Sequence, residues 1–106
     1  MIMNATDWNT ALFEKMSDEQ DNYRDWLKSQ PPEEVLNHAY EYTIREDIVM
    51  AMEELELTDT QAQALLESPS PLADVYRYFE KLETGYMDVI RDSIENRADD
   101  VCRAQE

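Results

Sequence analysis

The side chains that most often perform catalysis are scarce in this chain of 106 residues, which holds one histidine, His38, and one cysteine, Cys102. Nucleophilic catalysis needs a nucleophile beside a base and an orienting group, and the neighbours of His38 form no such motif. Cys102 lies close to the carboxyl end, where a catalytic geometry is hard to hold. We therefore expect no enzyme activity, and we interpret His38 as a residue that packs or caps locally.

The sequence also lacks the patterns that are typical of metal and cofactor sites. A zinc site or a disulfide framework needs more cysteine or histidine than this chain has. A di-metal carboxylate site repeats Glu-x-x-His on two helices, whereas Glu34 and His38 are four residues apart and no second histidine exists. The single glycine, Gly85, excludes a glycine-rich phosphate loop, and no segment alternates acids around a central glycine as a calcium loop requires. We expect neither a metal nor a cofactor.

Carboxylates are abundant, since 25 Asp and Glu face 9 Lys and Arg, giving a net charge of −16 and a pI near 4.1. Two sets share the spacing i, i+4, i+7, i+11, which aligns each set along one side of a helix. The first acidic row is Glu14, Asp18, Asp21 and Asp25, and the second acidic row is Asp88, Asp92, Glu95 and Asp99. A base-free segment between Arg45 and Arg77 adds Glu46, Asp47, Glu53, Glu54, Glu56 and Asp59.

Two explanations account for these carboxylates. Solvation places charges on the outer faces of amphipathic helices in any case, although aligned like charges cost a few tenths of a kcal/mol per pair. Alternatively, a row with one carboxylate per helical turn imitates the phosphates of a nucleic-acid strand, which advance about 3.4 Å along the axis. So acidic a chain is repelled by nucleic acids and anionic lipids. We therefore predict that the fourteen carboxylates bind a basic protein, with fast, salt-sensitive association.

The composition predicts one helical domain spanning residues 1–106, with frayed ends at about 1–5 and 103–106. Apolar residues make up 42% of the chain, and one glycine with four prolines is too few for the turns of an all-β fold. No apolar run is long enough to span a membrane, and the start lacks the pattern of a signal peptide. We expect a cytoplasmic protein that does not bind membranes and is a monomer or a homodimer.

Periodicity and capping residues predict an all-α fold, a compact bundle of four to five helices. The first helix runs from Thr6 or Asp7 to Ser29, and the second runs from the Pro31-Pro32 pair to Leu55. A capping box at Thr58 opens the third helix, and Ser70-Pro71 opens the fourth. The fifth covers about Tyr86 to Arg103, after Gly85 in a left-handed helix stop at Thr84-Gly85. The predicted core is Trp8, Met16, Leu36, Tyr40, Ile44, Ile48, Leu65, Val75, Phe79, Ile90 and Ile94.

The stretch from Pro31 to Tyr42, PPEEVLNHAYEY, followed by Arg45-Glu46-Asp47-Ile48 and later by SPLADVY at 70–76, resembles a known family. That family comprises small acidic helical proteins of unknown function carried on mobile elements of gut bacteria. The chain is also similar in size and charge to anti-CRISPR proteins. The resemblance implies an inhibitor that occupies a basic nucleic-acid groove of a Cas9-like nuclease, without binding nucleic acid itself. The alternative is an interaction module that binds a partner through Trp26, Tyr42, Met50 and Tyr78.

Overall fold

Six α-helices, without a strand, are formed within residues 7–82 and 85–105, the parts of the chain that the computed structural model describes. The helices are α1 (Trp8–Lys28), α2 (Pro32–Asn37), α3 (Ala39–Ala51), α4 (Asp59–Leu66), α5 (Pro71–Leu82) and α6 (Tyr86–Ala104). The all-α prediction is confirmed. The predictions made for residues 1–5, Thr6 and Thr84 lie outside the described residues.

Most helix boundaries follow from capping chemistry. Asp7 caps α1, because its carboxylate accepts hydrogen bonds from the Thr10 backbone N–H at 3.1 Å and from the Thr10 hydroxyl at 2.7 Å. The Thr58 hydroxyl accepts from the Gln61 backbone N–H, while the Gln61 side chain accepts from the Thr58 N–H. This reciprocal pair confirms the predicted capping box at the start of α4. Proline stands in the first turn of both α2 and α5, where no backbone N–H is needed.

The predicted second helix is in fact two helices, because the helical conformation is interrupted at His38. The His38 backbone N–H donates to the carbonyls of Glu34 and Val35 at 3.2 Å, and its Nδ1 lies 2.9 Å from the Glu34 carbonyl. The imidazole also packs edge-on against Trp26, with ring centroids 5.3 Å apart. The prediction that His38 caps and packs locally is therefore confirmed.

The break changes which residues are buried. Leu36 is 75% exposed and Tyr40 is 40% exposed, so their predicted burial is wrong. The predicted i+4 series assumed one continuous helix, but Leu36 lies on α2, before the break, and on α3 the buried side chain is Arg45 while Ile44 is half-buried. The series also predicted a helix to Leu55, whereas α3 ends at Ala51 and Leu55 is half exposed.

The core lies where α1 packs against α3, α4 and α5. Its buried side chains are Leu12, Met16, Met52, Ala62 and Leu72. Half-buried apolar residues surround them, including four of the predicted core residues: Trp8, Ile48, Leu65 and Val75. Ile44 on α3 and Phe79 on α5 are also only half-buried. Burying such side chains is the main source of stability in a domain of this size. One helix, α1, packs against each of the helices α2 to α5.

Polar side chains of α1 fix the loops between the other helices. The Asn9 amide pairs with the backbone N–H and C=O of Leu57, both at 2.9 Å. The Lys15 ammonium donates to the carbonyls of Leu66 and Ser68 at the end of α4. The Glu19 carboxylate accepts from the first free N–H groups of α5, those of Leu72 and Ala73, at 2.9 Å each. These bonds satisfy helix-end groups that would otherwise need water.

Gly85 does not adopt the predicted left-handed conformation, since its φ is −104° and its ψ is 1°. It occupies the N-cap position of α6 instead of terminating α5. Among the described residues, no other helix packs along the length of α6. Ile94 is accordingly 64% exposed, and its predicted burial is wrong. Ile90 is only half-buried.

Truncation of two leucines distinguishes the observed core from the expected one. Leu12→Ala should lower the free energy of unfolding by about 2–5 kcal/mol, because Leu12 is completely buried. Leu36→Ala should change it by no more than about 0.5 kcal/mol, because most of Leu36 already contacts water. Urea unfolding followed by circular dichroism measures both. Equal losses for the two variants would contradict the observed burial.

Candidate acidic binding surface

The first acidic row lies on the outer side of α1. Glu14, Asp18, Asp21 and Asp25 are all exposed, whereas Leu12, Met16, Gln20 and Leu27 on the same helix are buried. At 3.6 residues per turn the two sets fall on opposite sides of α1. The packed side of α1 thus holds the row in a fixed, straight line pointing into solvent.

Half of the acids of the base-free segment lie in the turn between α3 and α4. Met52 and Leu57 anchor this turn, since Met52 is buried in the core and Leu57 is held by Asn9. The residues between the two anchors that carry charge, Glu53, Glu54 and Glu56, are exposed, as are Asp47 and Asp59 on either side. The turn therefore presents several carboxylates from a fixed backbone.

Glu46 is the exception among the predicted binding residues. Its side chain is half-buried, and its Oε1 accepts a hydrogen bond of 3.1 Å from the buried amide of Gln20. The same Gln20 amide lies 3.2 Å from the carbonyl of Tyr42. Glu46 therefore joins α3 to α1, and the remaining thirteen predicted carboxylates form the exposed surface.

An open groove of about 450 Å³ brings part of this surface together at the start of α1. Glu53 and Glu56 line it together with Asp7, and apolar side chains form part of its wall, namely Phe13, Met52, Leu55 and Leu57. Hydrogen bonds from the Thr10 side chain and then from its backbone N–H hold the pKa of Asp7 below its usual value. Asp7 can therefore face a cationic group in the groove as a carboxylate at neutral pH.

Most basic residues are already engaged within the molecule. Four arginines pair with an aspartate three residues earlier: Arg24 with Asp21, Arg77 with Asp74, Arg91 with Asp88 and Arg103 with Asp100. Lys15 binds backbone carbonyls, and Arg45 binds Glu41. Exposed pairs of this kind add little stability. Each pair holds its cation beside one aspartate, so within the two acidic rows only Asp21 and Asp88 are ion-paired to a described residue.

The second acidic row is exposed along α6. Asp88 carries an ion pair with Arg91 at 2.9 Å, and the other three members have no ion pair with a described residue. Because no other described helix packs along α6, the exposure of this row says less about function than does that of the first row. The two rows lie on different helices and form separate parts of the surface.

The aromatic residues proposed for the alternative function do not form one patch. Trp26 and Tyr42 both stack on Tyr23, with centroids 5.9 and 6.4 Å apart. The guanidinium of Arg45 lies 4.2 Å from the centre of the Tyr23 ring. Met50 and Tyr78 are 59% and 63% exposed, and no ring contact among the described residues joins Tyr78 to this cluster.

Arg45 is the most enclosed cation among the described residues, with 8% exposure. Its Nε and Nη2 donate to Glu41 Oε2 at 2.9 and 2.7 Å. Its Nη1 lies 3.9 Å from Glu19, the residue that caps α5. Sequence reasoning missed Glu19 and Gln20. Their position could have indicated a role in the fold, because both polar side chains lie on the apolar side of α1 beside Met16.

Tyr23 provides a pH-dependent test of this cluster. Burial, and next the negative charge of Glu41, raises the pKa of Tyr23 from 10.0 to about 12. A raised pKa in the folded state favours the protonated phenol, so its contribution is complete below pH 10 and is lost as the pH rises towards 12. The free energy of unfolding should therefore fall across this interval. Tyr23→Phe should lose less stability than the parent chain over the same interval, and an equal loss in both would contradict the assignment.

Within residues 7–82 and 85–105, no group of three or more His, Cys, Asp or Glu side chains could hold a metal ion, and no helix is long and apolar enough to cross a membrane. A family model described as a protein of unknown function, DUF3848, matches residues 8–102. No curated protein and no solved structure matches the chain.

Proposed function

We propose a binding function for this chain, which belongs to the DUF3848 family of proteins of unknown function. In this proposal its exposed carboxylates engage a basic, nucleic-acid-binding surface of another protein and exclude nucleic acid from it. The observation that supports the proposal is the exposure of thirteen of the fourteen predicted carboxylates, while most cations are paired internally. The chain acts as a ligand rather than as an enzyme.

The partner is a protein whose arginines and lysines normally contact phosphates. Neighbouring carboxylates on one side of a helix are about 5–6 Å apart at their Cβ atoms, a spacing that several cations along a groove can meet at once. A net charge of −16 steers such an encounter over distances near the Debye length, about 8 Å at physiological salt. Association is therefore fast and weakens as salt is added.

The target class that we favour is a Cas9-like bacterial defence nuclease, so that the chain acts as an anti-CRISPR inhibitor in a host cytoplasm invaded by mobile elements. Such nucleases hold the guide–target duplex in a positively charged channel and read a short flanking motif through arginines. The support is chemical: a long basic channel suits rows of carboxylates better than a single cationic pocket does. Size, charge and the resemblance to mobile-element proteins agree with this target.

The alternative function, binding through an apolar or aromatic patch, is favoured by the exposure of Tyr78 and Met50. Trp26 and Tyr42 are less available, since both stack on Tyr23 within the molecule. A binder of that kind would show little dependence on salt. The salt dependence of binding therefore distinguishes the two functions.

Order of addition tests the proposal with a purified Cas9-like nuclease loaded with guide RNA. The chain should bind the nuclease and prevent cleavage when it is added before target DNA. Target DNA bound first should protect the nuclease, because both ligands would occupy the same basic channel. Inhibition that is equal in both orders would contradict competition for that channel, and tight binding without any salt dependence would favour the alternative.

A further inference from the structure

The side of α6 opposite its acidic row carries an apolar stripe, which we define as Met87, Ile90, Ile94, Ala98 and Val101. Met87, Ile94 and Val101 are 54%, 64% and 37% exposed, and no other described helix packs along them. An open depression of about 660 Å³ runs beside Ile94, Ala98 and Val101. On α1 the corresponding apolar side is covered by three helices. A lone amphipathic helix of 19 residues gains most of its stability from packing of this kind.

The spacing of the apolar stripe is symmetric. From Met87 to Val101 the steps are three, four, four and three residues, so the stripe has the same pattern when α6 is turned end for end about Ile94. A two-fold contact between identical chains requires such a self-complementary surface. In that register Ile94 meets its own copy, Ile90 meets Ala98, and Met87 meets Val101. Each pair away from the two-fold axis therefore joins a larger side chain to a smaller one.

The charges on α6 also suit this arrangement. At 3.6 residues per turn the second acidic row is centred about 130° around α6 from the stripe, so two copies can approach stripe to stripe with most of the two rows turned outward. Glu95 is the member of that row nearest the stripe, and it lies on the same edge of the stripe as Arg91. In an antiparallel pair each edge faces its own counterpart, and Arg91 of one copy lies about 3 Å, measured along the axis, from the level of Glu95 in the other. Two opposite-charge contacts are therefore available.

We propose that α6 is a self-association helix, and that the apolar stripes of two copies of this chain pack antiparallel with Ile94 at the two-fold axis. The two bodies repel each other, because each carries a charge of −16. Added salt therefore strengthens this dimer, whereas it weakens binding to a basic partner. Because salt changes the two kinds of binding in opposite directions, self-association can be distinguished from the proposed function.

Sedimentation velocity of the full chain, from micromolar to millimolar concentrations and at rising salt, tests the proposal. The chain should form dimers whose dissociation constant falls as salt rises. Ile94→Asp should raise that constant by at least about a hundredfold, because it buries an unpaired carboxylate. Val89→Asp is the matched control, since it adds the same charge at an exposed position of α6 outside the stripe and should leave the dimer intact. Circular dichroism checks that both variants remain folded.

The native thiol reports the orientation of the two helices. In the antiparallel pair the two Cys102 side chains lie about 24 Å apart along the axis, so mild oxidation should not link the chains. Met87→Cys places a thiol near the level of Cys102 in the other copy and should produce a disulfide-linked dimer. Within one chain these positions are about 22 Å apart, so any bond between them joins two chains. A monomer at every concentration, a dimer that survives Ile94→Asp, or Cys102 cross-linking in the parent chain would overturn the proposal.

Discussion

Replacing Asp47, Glu53, Glu54 and Glu56 by their amides should slow association with a guide-loaded Cas9-like nuclease by about tenfold or more. These four acids lie at and around the turn between α3 and α4 and are exposed. Amides keep the shape of the side chains and remove the charge that steers the encounter. Two neighbours stay unchanged in this variant, since Glu46 binds Gln20 and Asp59 favours the first turn of α4. Stopped-flow or surface-based kinetics gives the rate.

The matched control exchanges the same acids while keeping their charge: Asp47→Glu, Glu53→Asp, Glu54→Asp and Glu56→Asp. This variant should associate at nearly the parent rate, because long-range steering depends on charge rather than on side-chain length. The amide variant should be as stable as the parent or more stable, since repulsion between like charges is relieved. An amide variant that associates as fast as the parent would show that this turn does not guide binding.

The second acidic row can be tested in the same assay. Asp88→Asn, Asp92→Asn, Glu95→Gln and Asp99→Asn remove an equal number of charges from α6. A similar loss of rate in both variants indicates steering by net charge. A larger loss, with faster dissociation, in one of them assigns the contact surface to that region. The self-association helix contains this row, so the comparison is made at concentrations where the chain is monomeric.

Arg45→Ala should lower the free energy of unfolding by about 3 kcal/mol, the largest effect expected of any charged side chain here. The substitution leaves Glu41 unpaired in a partly enclosed site and removes the cation above Tyr23. It also removes the positive charge beside Glu19, whose carboxylate caps α5. The loss therefore reaches α1, α3 and α5 together. Urea unfolding measures it.

Arg77→Ala serves as the comparison for Arg45. Arg77 forms an ion pair with Asp74 at three residues' spacing, and both side chains are substantially exposed. Exposed pairs contribute between zero and about 1 kcal/mol, so Arg77→Ala should have a small effect. Similar losses for the two arginines would contradict the role assigned to Arg45 as a connection between three helices.

Local chemistry allowed most helix boundaries to be predicted from the sequence. The Thr58 capping box and the prolines at 32 and 71 act on their own neighbours, so no distant residue is needed to recognise them. The break at His38 could not be predicted in this way. It depends on a ring that packs against Trp26, which is distant in sequence. The predicted burial of Ile94 is wrong for a related reason. Periodicity predicts that a helix has an apolar side, but it does not predict whether the same chain covers that side.

The candidate surface was predictable for the same reason that it is exposed. Carboxylates in amphipathic helices lie opposite the apolar side, so both acidic rows could be located from spacing alone. The sequence does not separate these from acids that serve the fold. Glu19 and Glu46 belong to the second kind, since each binds a group on another helix. Only tertiary contacts distinguish the two kinds.

The most direct test of the central claim is the association rate between this chain and a guide-loaded Cas9-like nuclease at increasing sodium chloride. Binding through exposed carboxylates predicts a steep fall in the rate as the ionic strength rises, with full competition by target DNA. A rate that is independent of salt, combined with loss of binding on Tyr78→Ala or Trp26→Ala, would contradict the claim. In that case the partner would bind an apolar surface, and the carboxylates would serve solvation alone.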